Sequence, residues 1–443
     1  MPPRRGNNRP DRQAPARQRK SAVTSPAEEV PGNPTYLISK LLRWFLDNAR
    51  DIPWRRTLDP YGIWVSEIML QQTQVKTVIP YWNRWMKALP TIQKLARARE
   101  PRVLKLWEGL GYYTRVRNLQ KAAKQIVAER NGEFPTDNDS ILQLPGIGRY
   151  TAGAIASIAF NQPTPIVDGN IIRVVARLQG IRDNPREKSV NERIWSLAEK
   201  LVTAAARMKP MKFANSAMLL AGPCSALNQS LMELGATICV PRQPKCNECP
   251  LRSNCIAQRD DLIEVIPNLG KRPATTSRTL HTFIVRHGDK YFVRQRPKGE
   301  VNGGFWEFPN IEVTRDRTTP RQSLKRLFAK PVRAGESGDL TSTRGSHVAA
   351  TQESRAPKGY PPTPRQPERG SPEPQQHPIQ SRVVQLRPFG RIQHTITRYR
   401  ITQHIFAATA ASTTVVGTMN GKWYTRSELK KLPFVSAQKS IEL

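Results

Sequence analysis

The sequence LPGIG at residues 144–148 limits the fold of this chain more than any other stretch. A proline and two glycines within five residues end one helix near Leu144 and allow another to begin near Arg149. The stretch therefore predicts a tight helix-hairpin-helix. Glycines let a partner approach the backbone closely, and unsatisfied N–H groups at the start of a helix suit a phosphate. We expect Gly146, Gly148 and Arg149 to bind the backbone of a nucleic acid.

A second feature follows twenty residues later, where Asp168 and Asn170 precede a periodic apolar run. This pattern places Asp168 at a helix N-cap, where we expect the helix dipole to keep its carboxylate ionised. The whole segment 144–170 resembles the hairpin and Gly/Pro-Asp motif of the helix-hairpin-helix DNA glycosylases. The resemblance implies that Asp168 is the catalytic aspartate and that Asn170 orients it.

Composition narrows the class of partner. The 443 residues give room for two or three domains, and a formal net charge of +35 favours a polyanion. Nucleic acid is favoured over membrane because no amphipathic basic helix or long apolar run is present. All six histidines lie at or beyond His281, so acid–base chemistry before it must use carboxylates, Lys, Tyr or Cys.

The first 34 residues are rich in Arg and Pro and have no apolar segment of the kind that a secretory signal requires. We interpret them as a disordered basic tail. The expected location is therefore intracellular: the cytoplasm or nucleoid of a bacterium, or the nucleus or mitochondrion of a eukaryote.

A helix is predicted over Ile63–Val75, and it carries Glu67 among Trp64, Ile68 and Leu70. Burial in such surroundings is expected to raise the pKa of Glu67 and let it act as an acid. The stretch, with the glutamines that follow, resembles the catalytic-glutamate helix of the MutY-type adenine DNA glycosylases nearly residue for residue. The resemblance implies an adenine pocket lined by Arg50, Ile52, Trp54, Gln72 and Gln229.

The turn at 109–118 carries two tyrosines and two arginines, a combination suited to opening a duplex and holding phosphates. By resemblance, Leu110 and Tyr112 are the intercalating pair, with Leu110 protruding. Tyr150 stands where strand-cutting relatives carry a lysine whose amine attacks the sugar. Since tyrosine cannot form a Schiff base, we expect base removal without efficient strand cutting, with Tyr150 supporting both Glu67 and Asp168.

Four of the five cysteines form a compact run, C-x6-C-x2-C-x5-C, at Cys239, Cys246, Cys249 and Cys255. In a reducing compartment such a run indicates metal rather than disulfides. Zinc sites usually separate two paired ligands by a dozen or more residues, so a [4Fe–4S] cluster fits better and zinc is the alternative. The resembled glycosylases use the same spacing. Basic residues between the ligands predict a phosphate-binding loop that the cluster staples: Arg242, Lys245 and Arg252.

Residues 215–222 and 228–235 are similar at a spacing of thirteen, which suggests a local duplication. The resembled family has one such element directly before the first cluster cysteine. We therefore interpret the second copy, with Gln229, as the native-like one. The first copy, with Cys224, is interpreted as a bulged loop or a faulty gene model.

After a linker at 261–277 the hydrophobic period changes, and short strands are predicted at Thr279–Val285, Lys290–Gln295, Phe305–Phe308 and Ile392–Ala407. Together with residues 303–309 they resemble the MutT-like domain that follows the catalytic domain in MutY. A nucleotide hydrolase of that fold needs spaced glutamates for Mg²⁺, and none is visible. We therefore expect a reader of damaged guanine.

The reading loop of the resembled domain falls at residues 396–398, which makes Thr397 and Arg398 the candidate lesion-reading residues. Residues 333–380 are rich in Pro, Ser, Gln and Gly and are interpreted as a disordered insertion. The last helix of this domain is expected to be packed by four apolar residues near the end: Trp423, Leu429, Leu432 and Phe434.

The expected architecture is multidomain. A basic tail (1–34) precedes an all-α helix-hairpin-helix glycosylase domain (35–260) that includes the Fe–S loop (239–255), and the linker (261–277) leads to an α+β Nudix/MutT-like domain (278–443). By resemblance, the chain is expected to be a monofunctional glycosylase that flips adenine from double-stranded DNA and removes it opposite 8-oxoguanine or G. A monomer is the default expectation. One alternative is an endonuclease III-like glycosylase/lyase for oxidised pyrimidines. Another is a catalytically impaired Fe–S protein that binds DNA.

Overall fold

The computed structural model describes residues 33–209, 220–271, 274–314, 318–329, 383–396, 398–413, 421–439 and 441. Nearly all of the basic tail, residues 215–219 of the first repeat, the insertion 333–380 and Thr397 lie outside the described residues.

The chain forms two compact units, each built from two separate stretches of sequence. The first comprises the residues up to Asp51 together with Ala152–Gly270, and the second comprises Ile52–Thr151 together with the residues from Lys271 onward. The second unit thus contains both helices and a β-sheet. The linear domain boundaries drawn from sequence remain a prediction.

The described part of the first unit is helical. Its helices are α1 (Pro34–Asn48), α9 (Gly169–Gln179), α10 (Lys188–Ala206), α11 (Pro223–Thr237) and α12 (Ile256–Arg259), and it contains most of α8 (Arg149–Phe160). One apolar face of α1 is buried, as its three-to-four-residue periodicity predicts. The second repeat, 228–235, lies within α11, and its interpretation as the native-like copy remains a prediction. The expectation of a bulged loop at Cys224 is wrong, because Cys224 is buried in the first turn of the same helix.

The helical part of the second unit consists of six helices: α2 (Pro60–Leu70), α3 (Val75–Ala88), α4 (Ile92–Arg97), α5 (Glu100–Trp107), α6 (Thr114–Glu129) and α7 (Asn138–Leu142). Asp59 caps α2 by accepting from the N–H groups of Tyr61 and Gly62, and Pro60 occupies its first turn. Residues 61–69 of α2 are all buried, so this helix is enclosed on every side.

The prediction of one helix from Ile63 through Val75 is wrong at its end. The α2 helix stops at Leu70, and α3 begins at Val75. The chain turns between them because Gln72 adopts a φ of 59°, a left-handed conformation that ends an α-helix.

The described residues from 274 onward, which we call the β domain, form a mixed seven-stranded sheet of order β3-β2-β1-β6-β5. The strands are β1 (Thr276–His287), β2 (Lys290–Gln295), β3 (Trp306–Glu307), β4 (Asn310–Glu312), β5 (Val383–Ile396), β6 (Tyr399–Ala410) and β7 (Gly421–Thr425). Parallel pairing joins β1 to β6, while β4 pairs with β1 and β7 with β2 in antiparallel register. The domain is therefore α+β, with helices α13 (Pro320–Ala329), α14 (Arg426–Leu429) and α15 (Ser436–Lys439).

Successive side chains of β1 belong alternately to two apolar clusters. Phe283 and Val285 belong to a cluster that includes Leu324 and Phe328 of α13. Ile284, between them in sequence, belongs to a second cluster with the C-terminal residues Phe434 and Ile441 and others. Side chains of successive strand residues point to opposite faces, so each cluster covers one face of the sheet. Trp423, which was expected to pack the last helix, is in β7 opposite Phe292 and packs against the cluster of Phe283.

Among the described residues, no helix has both the length and the apolar character needed to cross a membrane.

Candidate active site

Glu67 lies on the buried helix α2 with its side chain enclosed, at 4 % exposure. The phenol of Tyr150, in the first turn of α8, donates a 2.7 Å hydrogen bond to Oε2 of Glu67. Both residues belong to the second unit. The structure therefore brings together two predicted site residues that are 83 positions apart in sequence and gives the carboxyl group a fixed orientation.

The predicted helix-hairpin-helix is confirmed. Helix α7 ends at Leu142, α8 begins at Arg149, and Leu144 and Ile147 anchor the turn between them in the core. Gly146 has a φ of 80°, and a Cβ there would lie 2.5 Å from the Cβ of Asn118. A Cβ at Gly148 would meet nothing within 4 Å, so the start of α8 is open to a partner.

Asp168 is the N-cap of α9, as predicted. Its Oδ1 accepts from the N–H groups of Asn170 at 3.0 Å and Ile171 at 2.8 Å, and Asn170 Nδ2 donates to Oδ2 at 2.8 Å. Burial raises the pKa of Asp168 above its usual range, although these hydrogen bonds and the charge of Arg173 act in the opposite direction. Desolvation therefore has a larger effect on this pKa than the hydrogen bonds from the helix N-terminus. That the carboxylate is ionised remains a prediction.

Arg173, one turn into α9, extends this arrangement. Its Nη2 donates to Oδ1 of Asn170 at 2.9 Å and to the carbonyl of Gly235 at 2.6 Å, and its Nε donates to the carbonyl of Cys239 at 2.6 Å. The guanidinium therefore fixes the side chain of Asn170, which in turn holds Asp168.

Two of the predicted adenine-pocket residues lie in the first unit. The guanidinium of Arg50 forms a two-pronged ion pair with Glu233, with Nε to Oε1 at 2.7 Å and Nη2 to Oε2 at 2.9 Å. Gln229 lies one turn before Glu233 on α11, is buried, and donates from Nε2 to Oγ of Ser225 at 3.2 Å.

The other three predicted pocket residues lie in the second unit. Ile52 and Trp54 are buried, and the ring of Trp54 packs edge-on against that of Trp82 with centroids 6.1 Å apart. Gln72 is exposed at the turn after α2. The assignment of all five residues to an adenine pocket remains a prediction.

Residues 109–112, which we call the wedge turn, join α5 to α6. Three of its four residues have positive φ: Gly109 at 107°, Gly111 at 69° and Tyr112 at 47°. Tyr112 is 43 % exposed, whereas Leu110 is 6 % exposed. The expectation of a protruding Leu110 is therefore wrong for the protein without DNA, and intercalation by Leu110 would require the turn to rearrange.

All four clustered cysteines are partly buried and none forms a disulfide. Burial raises the pKa of the Cys249 thiol to about 12, and negative charge on the other three cysteines raises it further. Arg177 Nη1 lies 3.5 Å from Sγ of Cys239 and also donates to the carbonyl of Val240. The structure thus places the buried guanidinium of Arg177 beside the Cys239 thiol.

In the part of the chain that the structure describes, no three His, Cys, Asp or Glu side chains are arranged to hold a single metal ion. A [4Fe–4S] cluster poses a different requirement, because each thiolate binds a different iron atom and the sulfurs lie farther apart than the ligands of one ion. Four thiols without disulfides, in one short loop, are a donor set of the right kind and number for such a cluster.

Of the two predicted lesion-reading residues, Arg398 lies among the residues that the structure describes. It is exposed in the β5–β6 hairpin, donates from Nη2 to the Tyr399 hydroxyl at 3.2 Å, and its guanidinium carbon lies 5.3 Å from the Tyr399 ring centroid. Arg278 lies over the same ring at 4.3 Å. The hairpin therefore presents an aromatic side chain between two cations.

Sequence reasoning missed Arg173 and Glu233, which organise the site. Both are charged residues that are flanked by apolar residues, in α9 and α11. A charge at such a position signals a buried partner, since an unpaired buried charge is costly. Sequence reasoning also expected the two arginines of the 109–118 turn to hold phosphates, but Arg115 donates to five backbone carbonyls and Arg117 forms an ion pair with Glu100.

Residues 65–200 match the family model described as HhH-GPD superfamily base excision DNA repair protein. The chain is 38 % identical to the adenine DNA glycosylase of Rattus norvegicus over 326 residues, which cover 62 % of this chain and 60 % of the relative. The human enzyme is 36 % identical, over 64 % of this chain and 59 % of its own length. For the adenine DNA glycosylase of Buchnera aphidicola subsp. Acyrthosiphon pisum, the values are 35 % identity, 62 % of this chain and 75 % of the relative.

The helical fold is that of the helix-hairpin-helix glycosylases of base excision repair. Within that superfamily, the chain belongs to the adenine DNA glycosylase family. It spans about 60 % of the length of the rat and human relatives.

Proposed function

We propose that the chain is a monofunctional DNA glycosylase that removes adenine opposite 8-oxoguanine or G. The observation that carries the proposal is the buried carboxyl group of Glu67, held by Tyr150 at 2.7 Å at the position that the family resemblance assigns to the catalytic acid. The family match supports it. Protein relatives with this name occur in animals, plants, yeast and bacteria.

Adenine must first leave the duplex, because its glycosidic bond cannot be reached in the stack; extrusion costs roughly a few kcal/mol. Glu67 then gives its proton to N7 of adenine. The C1′–N9 bond breaks, its electron pair goes to the departing neutral base, and a water adds to C1′ while its proton returns to Glu67. General acid–base help of this kind is worth about 10²–10⁴-fold.

Breaking the bond gives the sugar oxocarbenium character, which an adjacent carboxylate stabilises or traps, as in retaining glycosidases. We assign this role to ionised Asp168, with Asn170 and Arg173 setting its orientation through the hydrogen bonds described above. Arg50, Ile52, Trp54, Gln72 and Gln229 are proposed to recognise the adenine.

DNA binding is assigned to two sets of residues. The open turn at Gly146 and Gly148, with Arg149, binds a phosphate through backbone N–H groups, and the wedge turn, with Leu110 and Tyr112, enters the duplex. In the cysteine loop, three exposed basic side chains contact further phosphates: Arg242, Lys245 and Arg252.

We propose a [4Fe–4S] cluster on Cys239, Cys246, Cys249 and Cys255. When bound, the cluster supplies a cross-link that orders the basic loop and takes no part in the hydrolysis. The four thiols must lose their protons to bind iron, which the raised pKa of Cys249 opposes until the metal is present.

The β domain is proposed to be a MutT-like reader of the base opposite adenine. Support comes from its α+β sheet and from the hairpin that presents Arg398 beside Tyr399. Thr397 is included in this role on sequence grounds. The two cations and the ring offer stacking and hydrogen-bond donors to an oxidised guanine.

The test is the product formed from duplexes carrying A opposite 8-oxoguanine, A opposite T, or an oxidised pyrimidine. The proposal predicts free adenine from the first duplex and no covalent adduct on treatment with borohydride. Efficient borohydride trapping with an oxidised pyrimidine would instead identify a glycosylase/lyase. Tight binding to a non-cleavable analogue of the first duplex, without adenine release from the natural mispair, would contradict an enzymatic role.

A further inference from the structure

Arg115 in the first turn of α6 connects two parts of the second unit that the proposed reaction uses separately. Its Nη1 donates to the carbonyls of Ile68 at 2.7 Å, Met69 at 3.2 Å and Gln71 at 2.6 Å, at the C-terminal end of the helix that carries Glu67. Helix ends leave such carbonyls unsatisfied, and a cation there is favourable.

The other side of the same guanidinium holds the wedge turn. Nη2 of Arg115 donates to the carbonyls of Leu110 at 3.1 Å and Gly111 at 3.3 Å. The guanidinium carbon lies 5.4 Å from the centroid of the Trp107 ring and 5.6 Å from that of Tyr112. One side chain therefore contacts both the wedge turn and the C-terminal end of α2.

This bridge depends on the shape of the arginine head group. A planar guanidinium has donors on two sides, whereas an ammonium group is a compact point charge. Burial lowers the pKa of Arg115 to about 10, so the side chain keeps its charge at neutral pH while giving up much of its hydration. Its Nε is buried without a partner among the described residues, which indicates that the carbonyl contacts fix the side chain at some cost.

We infer that Arg115 is a positioning residue that ties the conformation of the wedge turn to the orientation of Glu67. Leu110 is buried in the protein without DNA, so insertion of the wedge must move the carbonyls of Leu110 and Gly111. The same guanidinium also donates to the carbonyls of three residues that follow Glu67 in sequence: Ile68, Met69 and Gln71. Movement of the wedge is therefore transmitted to the catalytic helix. The effect of this coupling on the reaction rate rests on the proposed adenine excision, whereas the coupling itself does not depend on it.

Hydrogen exchange without DNA tests the coupling directly. Arg115→Lys keeps the charge and cannot span both sets of carbonyls. We expect amide exchange to accelerate at least about fivefold in both 70–73 and 109–112, with α10 unchanged. Acceleration in one segment alone, or in neither, would overturn the inference.

Leu110→Ala tests the same coupling by changing the wedge turn while Arg115 stays in place. We expect faster exchange at 70–73 in this variant as well. Unchanged exchange there would overturn the inference even if every Arg115 variant failed to fold, and it would do so whether or not the protein releases adenine.

Kinetics test the consequence for the reaction. Arg115→Met is expected to lower the single-turnover rate at saturating enzyme at least tenfold. Arg115→Lys is expected to recover less than half of this loss when the rates are compared as logarithms. Arg84→Met is the matched control, because Arg84 also donates to one carbonyl and lies over a tyrosine ring but is exposed on α3. An Arg115→Met rate within twofold of wild type, or an equal loss in Arg84→Met, would contradict the inference.

Discussion

Lys439 in the last helix of the β domain donates a 2.8 Å hydrogen bond to Oε2 of Glu108, the C-cap residue of α5. The backbone N–H of Phe434 donates to Oε1 of the same carboxylate at 2.7 Å, and Lys105 lies 2.9 Å from Oε2. The Glu108 side chain is 3 % exposed. The C-terminal segment therefore closes over a buried carboxylate directly before the wedge turn.

Glu108→Gln is expected to destabilise the protein by about 1–3 kcal/mol at neutral pH, because charge-assisted hydrogen bonds are lost. Desolvation acts to raise the pKa of Glu108, but the bonds from Lys439, Phe434 and Lys105 bring it below its usual range. The stabilisation is therefore present above the unfolded pKa and lost as pH falls through the folded value. Denaturant unfolding at several pH values measures both effects.

The matched control for this prediction is Lys430→Met, an exposed lysine of the same C-terminal segment. It is expected to change stability by less than about 0.5 kcal/mol. A Glu108→Gln penalty that stays constant below about pH 4 would show that the carboxylate charge is not the cause.

Tyr150→Phe removes the hydroxyl that donates to Glu67 and leaves the ring in place. We expect the single-turnover rate of adenine release to fall roughly tenfold, since one hydrogen bond of about 1–1.5 kcal/mol no longer orients the acid. Affinity for a non-cleavable duplex, measured by fluorescence anisotropy, should stay within about twofold. Loss of affinity with an unchanged rate would place Tyr150 in DNA binding.

The pH dependence of the rate reports on Asp168. The proposed role requires its carboxylate, and burial raises the pKa of this group. As pH falls, the rate should therefore decline around a pKa above the ordinary aspartate value of about 4. Duplex binding is measured over the same range as the control. A rate that holds constant down to about pH 4 would contradict either the role or the direction of the shift.

Removal of one cluster thiol separates the structural role of the loop from catalysis. Cys249→Ser is expected to lose iron and sulfide content and most of the affinity for duplex DNA, because the basic loop is no longer cross-linked. Cys224→Ser is the control: Cys224 is buried on α11 outside the clustered run. Full iron content in Cys249→Ser, or zinc in place of iron in the wild type, would contradict the proposed cluster.

The local features of the fold followed from sequence, because short-range chemistry fixes them. The proline and glycines at 144–148 form the turn of the hairpin, and Asp168 accepts hydrogen bonds from N–H groups at the start of its own helix. Features that depend on distant partners did not follow. The pairing of Trp423 with Phe292 across the sheet, between residues 131 positions apart, was not predicted.

The candidate site shows the same division. The identities of Glu67 and Asp168 could be read from the motifs around them, but the direction of the Asp168 pKa shift depends on burial of its carboxylate in the folded protein. The buried state of Leu110 and the five carbonyls gathered by Arg115 depend on how α2, α5 and α6 meet. The apolar periodicity of a single helix does not predict where several helices come into contact.

The most direct test of the account is single-turnover adenine release from a duplex with A opposite 8-oxoguanine, comparing wild type with Glu67→Gln. Glutamine keeps the size of the side chain but carries no acidic proton. The account predicts release by the wild type and a loss of at least about 100-fold in Glu67→Gln, with duplex affinity retained. Equal rates in the two proteins, or no release by folded wild type with its cluster loaded, would contradict it.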